Sequence, residues 1–424
     1  MLASMEICER MVRESKRRRK GRREWKIEIP NDVMEEIVMR LPVRSIARFQ
    51  TVSKHWESVI RSRDFGARHM SHQRRSKDPK LMFVSYGQNH IGFEQRDLET
   101  TSLEESFELK IEEINGAIAI SECCDGLVCF YGLTYAVRVV NMATKTLVPP
   151  LPLAKFQQVH KYHPDPDLEE EMHDVSDDED DRNPVPVPFV LYTRFGFGKD
   201  SVTGRYKIVW LYNIYPATLN KKKKTRCEVF DFEEWRWRFV TTRPLDHHQI
   251  LSKQMPSFAN GSLYWLTTGD ERGYPSTQTK LIVFDIHTEM FRVTSTPPFI
   301  SPGASGDKIG LCNLDGHLCI SELKSDCKQE FWWRVEECGD KWERIFSVDL
   351  NSTSCWFGRI TSLPLTPLAI SRVENKVVLS LTYQGSLVDF DLDPDSTVYH
   401  LYYPGYYGLA VPYFPSLSLV HATF

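Results

Sequence analysis

The 424-residue sequence lacks the signatures of several common protein classes. Its ten cysteines form no C-x-x-C pair, so a structural zinc site is not expected. No stretch of about 18 consecutive apolar residues occurs, and the first residues lack the apolar core of a secretory signal. We therefore expect a protein without membrane spans, in a reducing compartment, whose cysteines are small buried hydrophobic residues.

Sequence signals of catalysis are also missing. There is no G-x-S-x-G nucleophile elbow. The pair Gly196-x-Gly198 precedes a strand-like segment, whereas a phosphate-binding loop leads into a helix, so we interpret it as a hairpin turn. The adjacent His247 and His248 have no further spaced ligands. These absences predict a non-catalytic protein with no metal and no cofactor.

Charge is distributed unevenly along the chain. Residues 16–23 contain seven basic residues in eight positions, and residues 165–181 contain eleven carboxylates in seventeen. Runs of this polarity bury too little apolar surface to fold by themselves. We therefore predict a disordered basic tail over residues 1–26 and a disordered acidic insertion at about 157–188.

The basic run is typical of a nuclear localisation signal, and a solvated tail is the alternative. The candidate signal residues are Lys16, Arg17, Arg18, Arg19, Lys20, Arg22 and Arg23. Such a cluster can neutralise phosphates, but no aromatic side chains are interleaved with it, so nucleic-acid binding is not expected. The predicted location is the nucleus, the cytoplasm or both.

Residues 29–65 carry apolar residues at steps of three or four, which is the spacing of helix faces. Asn31 is a suitable cap for a first helix, Pro42 ends it, and Ser53 is suited to cap a third helix that carries Trp56. Three short helices of this size leave much of their apolar surface exposed. This exposed apolar surface must be buried by a partner or by the rest of the chain.

The order of residues in this unit resembles the F-box. The matching residues are Ile29-Pro30, Asp32, Val33, Ile37, Arg40-Leu41-Pro42, Ser45, Ile46, Arg48-Phe49, Val52-Ser53-Lys54, Trp56, Ile60 and Phe65. In F-box proteins this unit docks on a Skp-type adaptor, and through it on a cullin–RING ubiquitin ligase. The resemblance implies adaptor contacts for Ile29, Pro30, Val33, Ile37, Leu41, Pro42, Ile46, Phe49, Val52 and Trp56. Some of these side chains, Trp56 especially, have an alternative role in holding the three helices together.

Beyond about residue 80 the pattern becomes strand-like. The strand-like runs are 81–86, 127–132, 136–142, 206–212 and 262–267. Pairs that suit tight hairpin turns separate such runs, and they are Asp125-Gly126, Asn260-Gly261, Asp315-Gly316 and Gln384-Gly385. The region is therefore predicted to be all-β.

A degenerate repeat runs through this region, with an apolar run, an acidic or Asn anchor and a polar turn. The anchors Asn141, Asp231, Asp285, Glu336 and Asp391 lie 90, 54, 51 and 55 residues apart. The acidic insertion accounts for the first, longer step. A period of 50–55 residues of β sequence predicts four-stranded blades of a kelch-like β-propeller, with two stacked β-sandwiches as the alternative.

The order of the β segments resembles the F-box-associated domain of plant F-box proteins. Its most specific piece is the Gly-x-Gly-x-Asp-x-x-Thr-x-x-Tyr-Lys segment from Gly196 to Lys207. The predicted fold is multidomain α plus all-β, with a three-helix F-box at 27–72 and a β-propeller-like, kelch-type domain at 80–424. The two resemblances imply the substrate-recognition subunit of an SCF-type cullin–RING ubiquitin ligase, with a target protein bound by the β domain.

Two alternatives remain open at this stage. A propeller that serves only as an interaction scaffold would shield Phe49 and Trp56 within its own chain, whereas a receptor would expose an apolar patch. A propeller enzyme would need a convergent cluster of Tyr, His, Cys or carboxylate side chains at the propeller axis.

Overall fold

The structure is a computed structural model, and it describes residues 30–86, 90–96, 103–110, 118–133, 135–162, 193–214, 224–242, 245, 248–250, 255–271, 274–335, 341–351, 363–381, 387–393, 399–402 and 409–418. The chain divides into two compact units, residues 1–42 and 43–424. No helix within these described ranges combines the length and apolar character needed to cross a membrane.

The described residues form five α-helices: α1 (Asn31–Met39), α2 (Val43–Phe49), α3 (Lys54–Arg61), α4 (Arg63–Ser76) and α5 (Lys155–Tyr162). The predicted cap of α3 is confirmed, because the Ser53 hydroxyl accepts a hydrogen bond from the Trp56 N–H at 3.2 Å. The predicted Asn31 cap is wrong, since Pro30 occupies the cap position without a side-chain bond. Helix α4, capped by Ser62, was not predicted from the sequence.

The β region consists of strands β1 (Lys80–Tyr86), β2 (His90–Arg96), β3 (Leu103–Lys110), β4 (Ala119–Ile120), β5 (Leu127–Tyr131), β6 (Arg138–Asn141), β7 (Thr146–Leu147), β8 (Thr193–Lys199), β9 (Tyr206–Ile214), β10 (Lys224–Asp231), β11 (Arg236–Val240), β12 (His248–Ile250), β13 (Ser257–Ala259), β14 (Ser262–Glu271), β15 (Tyr274–Asp285), β16 (Met290–Ser295), β17 (Ile309–Leu314), β18 (His317–Leu323), β19 (Lys328–Val335), β20 (Lys341–Asp349), β21 (Leu365–Ser371), β22 (Lys376–Leu381), β23 (Leu387–Asp391), β24 (Tyr399–Tyr402) and β25 (Leu409–Tyr413). Every pairing between these strands is antiparallel.

The described strands form six sheets, which are the blades of a propeller. Blade 1 has the order β25-β1-β2-β3, and blades 2 to 6 use β4–β7, β8–β11, β12–β16, β17–β20 and β21–β24 in chain order. Apolar clusters join blades 2 and 3, 3 and 4, 4 and 5, 5 and 6, and 6 and 1. Because no blade can bury both of its faces alone, each blade is covered by its neighbours. The propeller prediction is confirmed.

The ring closes through the C-terminal strand. Strand β25 pairs with β1, so that Met82 lies opposite Val411 in the register. The segment after β25 then reaches blade 2, where the Asn141 side chain donates hydrogen bonds to the carbonyls of Ser416 at 3.2 Å and Ser418 at 2.8 Å. The last described residues therefore hold blade 1 against blade 2.

The sequence repeat corresponds to one recurring turn, between the third and fourth strands of a blade. The side chains of Asn141, Asp231 and Asp285 each accept a hydrogen bond from a backbone N–H two or three residues ahead. The residue four positions after each anchor has a φ of 53° to 59° and donates its N–H to the carbonyl of the anchor. The anchor Glu336 lies outside the described residues.

The predicted hairpin turns that lead into β5, β14 and β18 are also confirmed. Asp125, Asn260 and Asp315 have φ between 49° and 53°, and the glycine after each has φ between 71° and 90°. Both central positions of such a turn require positive φ, which explains the Asn-Gly and Asp-Gly sequences. The pair Gln384-Gly385 lies outside the described residues.

The segment from Gly196 to Lys207 is a hairpin that fits blade 3 against blade 4. A Cβ atom on Gly198 would overlap the side chains of Phe258 and Ile286. The buried ammonium group of Lys207 donates to the Ile286 carbonyl at 3.0 Å. Gly196 and Gly198 lie inside strand β8 and not in the hairpin turn that was predicted for them, and their role is close packing between blades.

Helix α5 occupies the first residues of the predicted acidic insertion, so the insertion begins later than predicted. The Glu228 carboxylate accepts hydrogen bonds from two backbone N–H groups at the start of α5, at 2.8 and 3.0 Å, where the helix dipole favours a negative charge. Gln157 is fully buried and bonds to neighbouring backbone carbonyls. The boundary at about 157 was therefore placed too early. Residues 163–192 lie outside the described residues.

Two glycine substitutions test the packing between blades. Gly198→Ala should lower the free energy of unfolding by about 1–3 kcal/mol, because the added methyl group has no space. Gly66→Ala in α4 should raise it by about 0.5–1 kcal/mol, because nothing lies within 4 Å and alanine favours a helix. Urea denaturation of the full chain measures both. Equal effects of the two substitutions would contradict this account of the motif.

Candidate functional site

Helix α1 has apolar residues on two opposite faces. Val38 and Met39 are buried, with 0% and 6% of their surface exposed. Val33 and Ile37 lie one turn apart on the other side and are each 45% exposed. A helix with two apolar faces is normally covered on both. The stripe of Val33 and Ile37 is therefore apolar surface that its own folded unit leaves in water.

The second unit, from Val43 onward, divides its predicted adaptor residues between core and surface. Ile46 is fully buried and Trp56 is 9% exposed, which agrees with the alternative role of these side chains in holding the helices together. Val52 is 65% exposed, at the turn between α2 and α3. Phe49 is half-buried.

The predicted adaptor residues thus fall into distinct classes of exposure. The exposed ones are Pro30, Val33, Ile37, Pro42 and Val52, and the half-buried ones are Leu41 and Phe49. Ile29 and the seven basic residues of the predicted nuclear signal lie outside the described residues. Burial of Trp56 was expected for a scaffold, whereas the exposure of Val33, Ile37 and Val52 was expected for a receptor.

Helices α2 to α4 are attached directly to the propeller, which is why they belong to the second unit. The Arg44 side chain donates to the Ala143 carbonyl at 3.3 Å, and the Arg63 side chain donates to the Thr203 carbonyl at 3.1 Å. Arg372 donates to a backbone carbonyl of α4 at 3.3 Å. The predicted boundary between residues 72 and 80 therefore does not separate the compact units.

Asp125, in the first hairpin turn of blade 2, connects α4 with the propeller. Its carboxylate lies 2.7 Å from the Lys199 ammonium and 3.5 Å from the Arg74 guanidinium, and it accepts a hydrogen bond from the Tyr206 hydroxyl at 3.1 Å. Arg74 lies near the end of α4, and its guanidinium also packs over the Phe414 ring. One carboxylate thus ties together a helix and blades 2 and 3.

A cavity of about 480 Å³ lies at the centre of the ring. It is lined by residues in or next to β4, β13, β17 and β21 of blades 2, 4, 5 and 6 and by β25 of blade 1, so it follows the propeller axis. Met70 and Arg74 of α4 line one end, and Met255, Asp307 and Leu363, which precede β13, β17 and β21, line the other. The wall is mainly apolar.

Glu122 reaches across this cavity from blade 2. Its carboxyl group accepts hydrogen bonds from the backbone N–H of Phe258 in blade 4 at 3.0 Å and of Asn313 in blade 5 at 3.4 Å. Burial raises the pKa of Glu122 from 4.5 to about 7, because desolvation outweighs these hydrogen bonds. The carboxyl therefore titrates near neutral pH.

The cysteines beside Glu122 are unreactive thiols. Burial raises the pKa of Cys123 to about 12 and holds that of Cys124 well above its usual value. Within the described ranges, no three His, Cys, Asp or Glu side chains come together as metal ligands. Sequence reasoning missed Glu122 because its neighbours at the axis come from blades more than 100 residues away in the chain.

Comparison with known proteins gives two family matches. Residues 27–68 match the F-box domain, and residues 179–403 match the F-box associated beta propeller domain. The Arabidopsis thaliana F-box protein At1g12855 is 34% identical over 394 residues, covering 86% of this chain and 79% of its own length. The F-box/kelch-repeat protein At1g13200 of the same plant is 34% identical over 396 residues, covering 86% of this chain and 84% of its own.

The raised pKa of Glu122 predicts a pH dependence of stability. Its contribution is fully present below the unfolded pKa of 4.5 and is lost as pH rises to about 7, because the folded state holds the proton more tightly. The loss amounts to about 3 kcal/mol at most. Glu122→Gln has no such group to titrate.

Urea denaturation of the full chain at a series of pH values measures this difference. The free energy of unfolding of the wild type minus that of Glu122→Gln should fall between about pH 4.5 and pH 7 and then stay constant. A difference that is flat across this range would contradict the assignment. Subtracting the two free energies removes the contributions of all groups that titrate identically in both proteins.

Proposed function

Since the chain belongs to the family of F-box proteins that carry an F-box associated beta propeller domain, we propose that it is the substrate-recognition subunit of an SCF-type cullin–RING ubiquitin ligase. Proteins of this family generally act as substrate receptors in such ligases and are generally non-catalytic. The F-box end binds a Skp-type adaptor, and the propeller holds a target protein for ubiquitination.

The uncovered apolar stripe on α1 is the observation that carries this proposal. Val33 and Ile37 match F-box positions and remain 45% exposed, although Val38 and Met39 on the same helix are buried. Covering an apolar stripe releases free energy in proportion to its area. A partner that covers it explains why a polar residue does not occupy either position.

In this mechanism the protein promotes ubiquitination by positioning the target beside the conjugating enzyme. A target held by the propeller and a conjugating enzyme held by the cullin–RING part become members of one complex, so their encounter has a high effective concentration. The bonds of α2 and α4 to the propeller support this role, because they fix target-binding and adaptor-binding elements to each other within the second unit. This chain then contributes binding and geometry, and no bond chemistry.

The location remains a proposal that rests on sequence. The basic run at residues 16–23 suits import into the nucleus, where nuclear ligases and targets would be available. A protein without a working signal would act in the cytoplasm through the same two surfaces.

Substitution of the α1 stripe tests adaptor binding. Each side chain is already about half buried, so the pair should contribute about 2 kcal/mol to the interface. Val33→Ser combined with Ile37→Ser should therefore weaken the affinity for a Skp-type adaptor by about 30-fold. Isothermal titration calorimetry with the purified full chain measures the Kd.

A matched control is available on the propeller. Val202 and Val373 are 70% and 76% exposed in hairpin turns, so Val202→Ser combined with Val373→Ser makes the same chemical change elsewhere. This control should leave the Kd unchanged. Equal affinity of the α1 variant and the control would contradict the proposed interface, and a wild type that binds no Skp-type adaptor would favour the scaffold alternative.

A further inference from the structure

The axial cavity has the size and composition of a small-molecule site. Its volume of about 480 Å³ lies within the usual range of ligand pockets, roughly 300–1,000 Å³. Two inner strands contribute continuous stretches of the wall, residues 366–370 of β21 and residues 410–414 in and just after β25. Most of these side chains are apolar, so the wall offers an apolar surface to a ligand.

The carboxyl group of Glu122 is the principal polar feature of the cavity wall. Its two oxygens have about four acceptor positions; the N–H groups of Phe258 and Asn313 occupy two of them, and the Ser257 side chain interacts with a third. In the described part of the chain Glu122 has no ion pair, whereas the nearby Arg74 is paired with Asp125. The carboxyl therefore retains acceptor capacity inside an apolar enclosure.

We propose that the axial cavity binds a small, mainly apolar molecule that carries one amine cation, with the ammonium group held by the Glu122 carboxylate. An anionic ligand would meet a like charge there. A neutral ligand would make only an ordinary hydrogen bond to the carboxyl group, whereas an ammonium group makes a charge-assisted one, which is roughly twice as strong. This site is distinct from the adaptor surface and does not depend on the proposed ligase function.

Binding of the cation would change the protonation of the Glu122 carboxyl group. Without a partner, burial keeps the pKa of Glu122 near 7, so the group is only partly ionised at neutral pH. An ammonium group within hydrogen-bond distance favours the carboxylate and lowers this pKa. Ligand binding is therefore coupled to the loss of a proton from Glu122.

Three probes of nearly equal shape test the charge preference. They are 4-phenylbenzylamine, the neutral 4-phenylbenzyl alcohol and the anionic 4-phenylbenzoate, each titrated into the full chain by calorimetry. At about pH 8 the amine should bind about tenfold more tightly than the alcohol, and the benzoate should bind least. The amine affinity should fall about tenfold between about pH 8 and pH 6, as Glu122 takes up its proton.

Two kinds of variant localise the binding. Glu122→Gln should abolish the preference of the amine over the alcohol and the pH dependence of amine binding. Ala410→Trp should abolish the binding of both, because the indole fills the cavity; Thr366→Phe serves the same purpose if Ala410→Trp does not fold. Circular dichroism monitors folding of all variants.

The proposal is overturned by any of four results. These are no binding of any probe to the wild type, equal affinity for amine and alcohol, a preference that survives Glu122→Gln, and binding that survives filling of the cavity. The Kd for a Skp-type adaptor should be unchanged in all cavity variants. Loss of amine binding with intact adaptor binding therefore separates this site from the proposed ligase function.

Discussion

The pairing of β25 with β1 is the contact on which the rest of the fold depends. Every blade is covered by two neighbours, so a ring with one open joint would leave two blade faces in water. The strand that closes the ring comes from the C-terminal end of the chain, and the bonds from Asn141 to the segment behind it fasten the same joint to blade 2. Closure also creates the axial cavity, because β25 forms part of its wall.

The turn at Asp125 takes part both in the closure of the ring and in the attachment of helix α4 to the propeller. Asp125 pairs with Arg74 of α4 and with Lys199 of blade 3, and the Ser416 hydroxyl bonds to its backbone carbonyl. The polar cluster around Asp125 thus ties helix α4 to blades 2 and 3 within the second unit.

The sequence predicts the propeller and the F-box but not the number of blades, because local patterns mark single turns and helices and not the size of the ring. Anchors such as Asp231 and Asp285 mark turns that their own side chains stabilise. The first blade was missed, since its inner strand lies at the other end of the chain. The sequence left two roles open for Trp56, and the role of Glu122 escaped prediction: burial of Trp56 and the cross-axis bonds of Glu122 are consequences of tertiary packing, which leaves no periodic signal.

The position of β25 has a consequence for synthesis of the chain on the ribosome. Helices α1 to α4 and strand β1 emerge early, but the partner strand β25 of β1 begins only at Leu409. At ordinary translation rates this interval lasts on the order of half a minute. During that time β1 presents an unpaired edge with Leu81 and Phe83 still uncovered, which is the kind of surface that chaperones bind. A chain that terminates before the last strand would keep its F-box residues but carry an open ring.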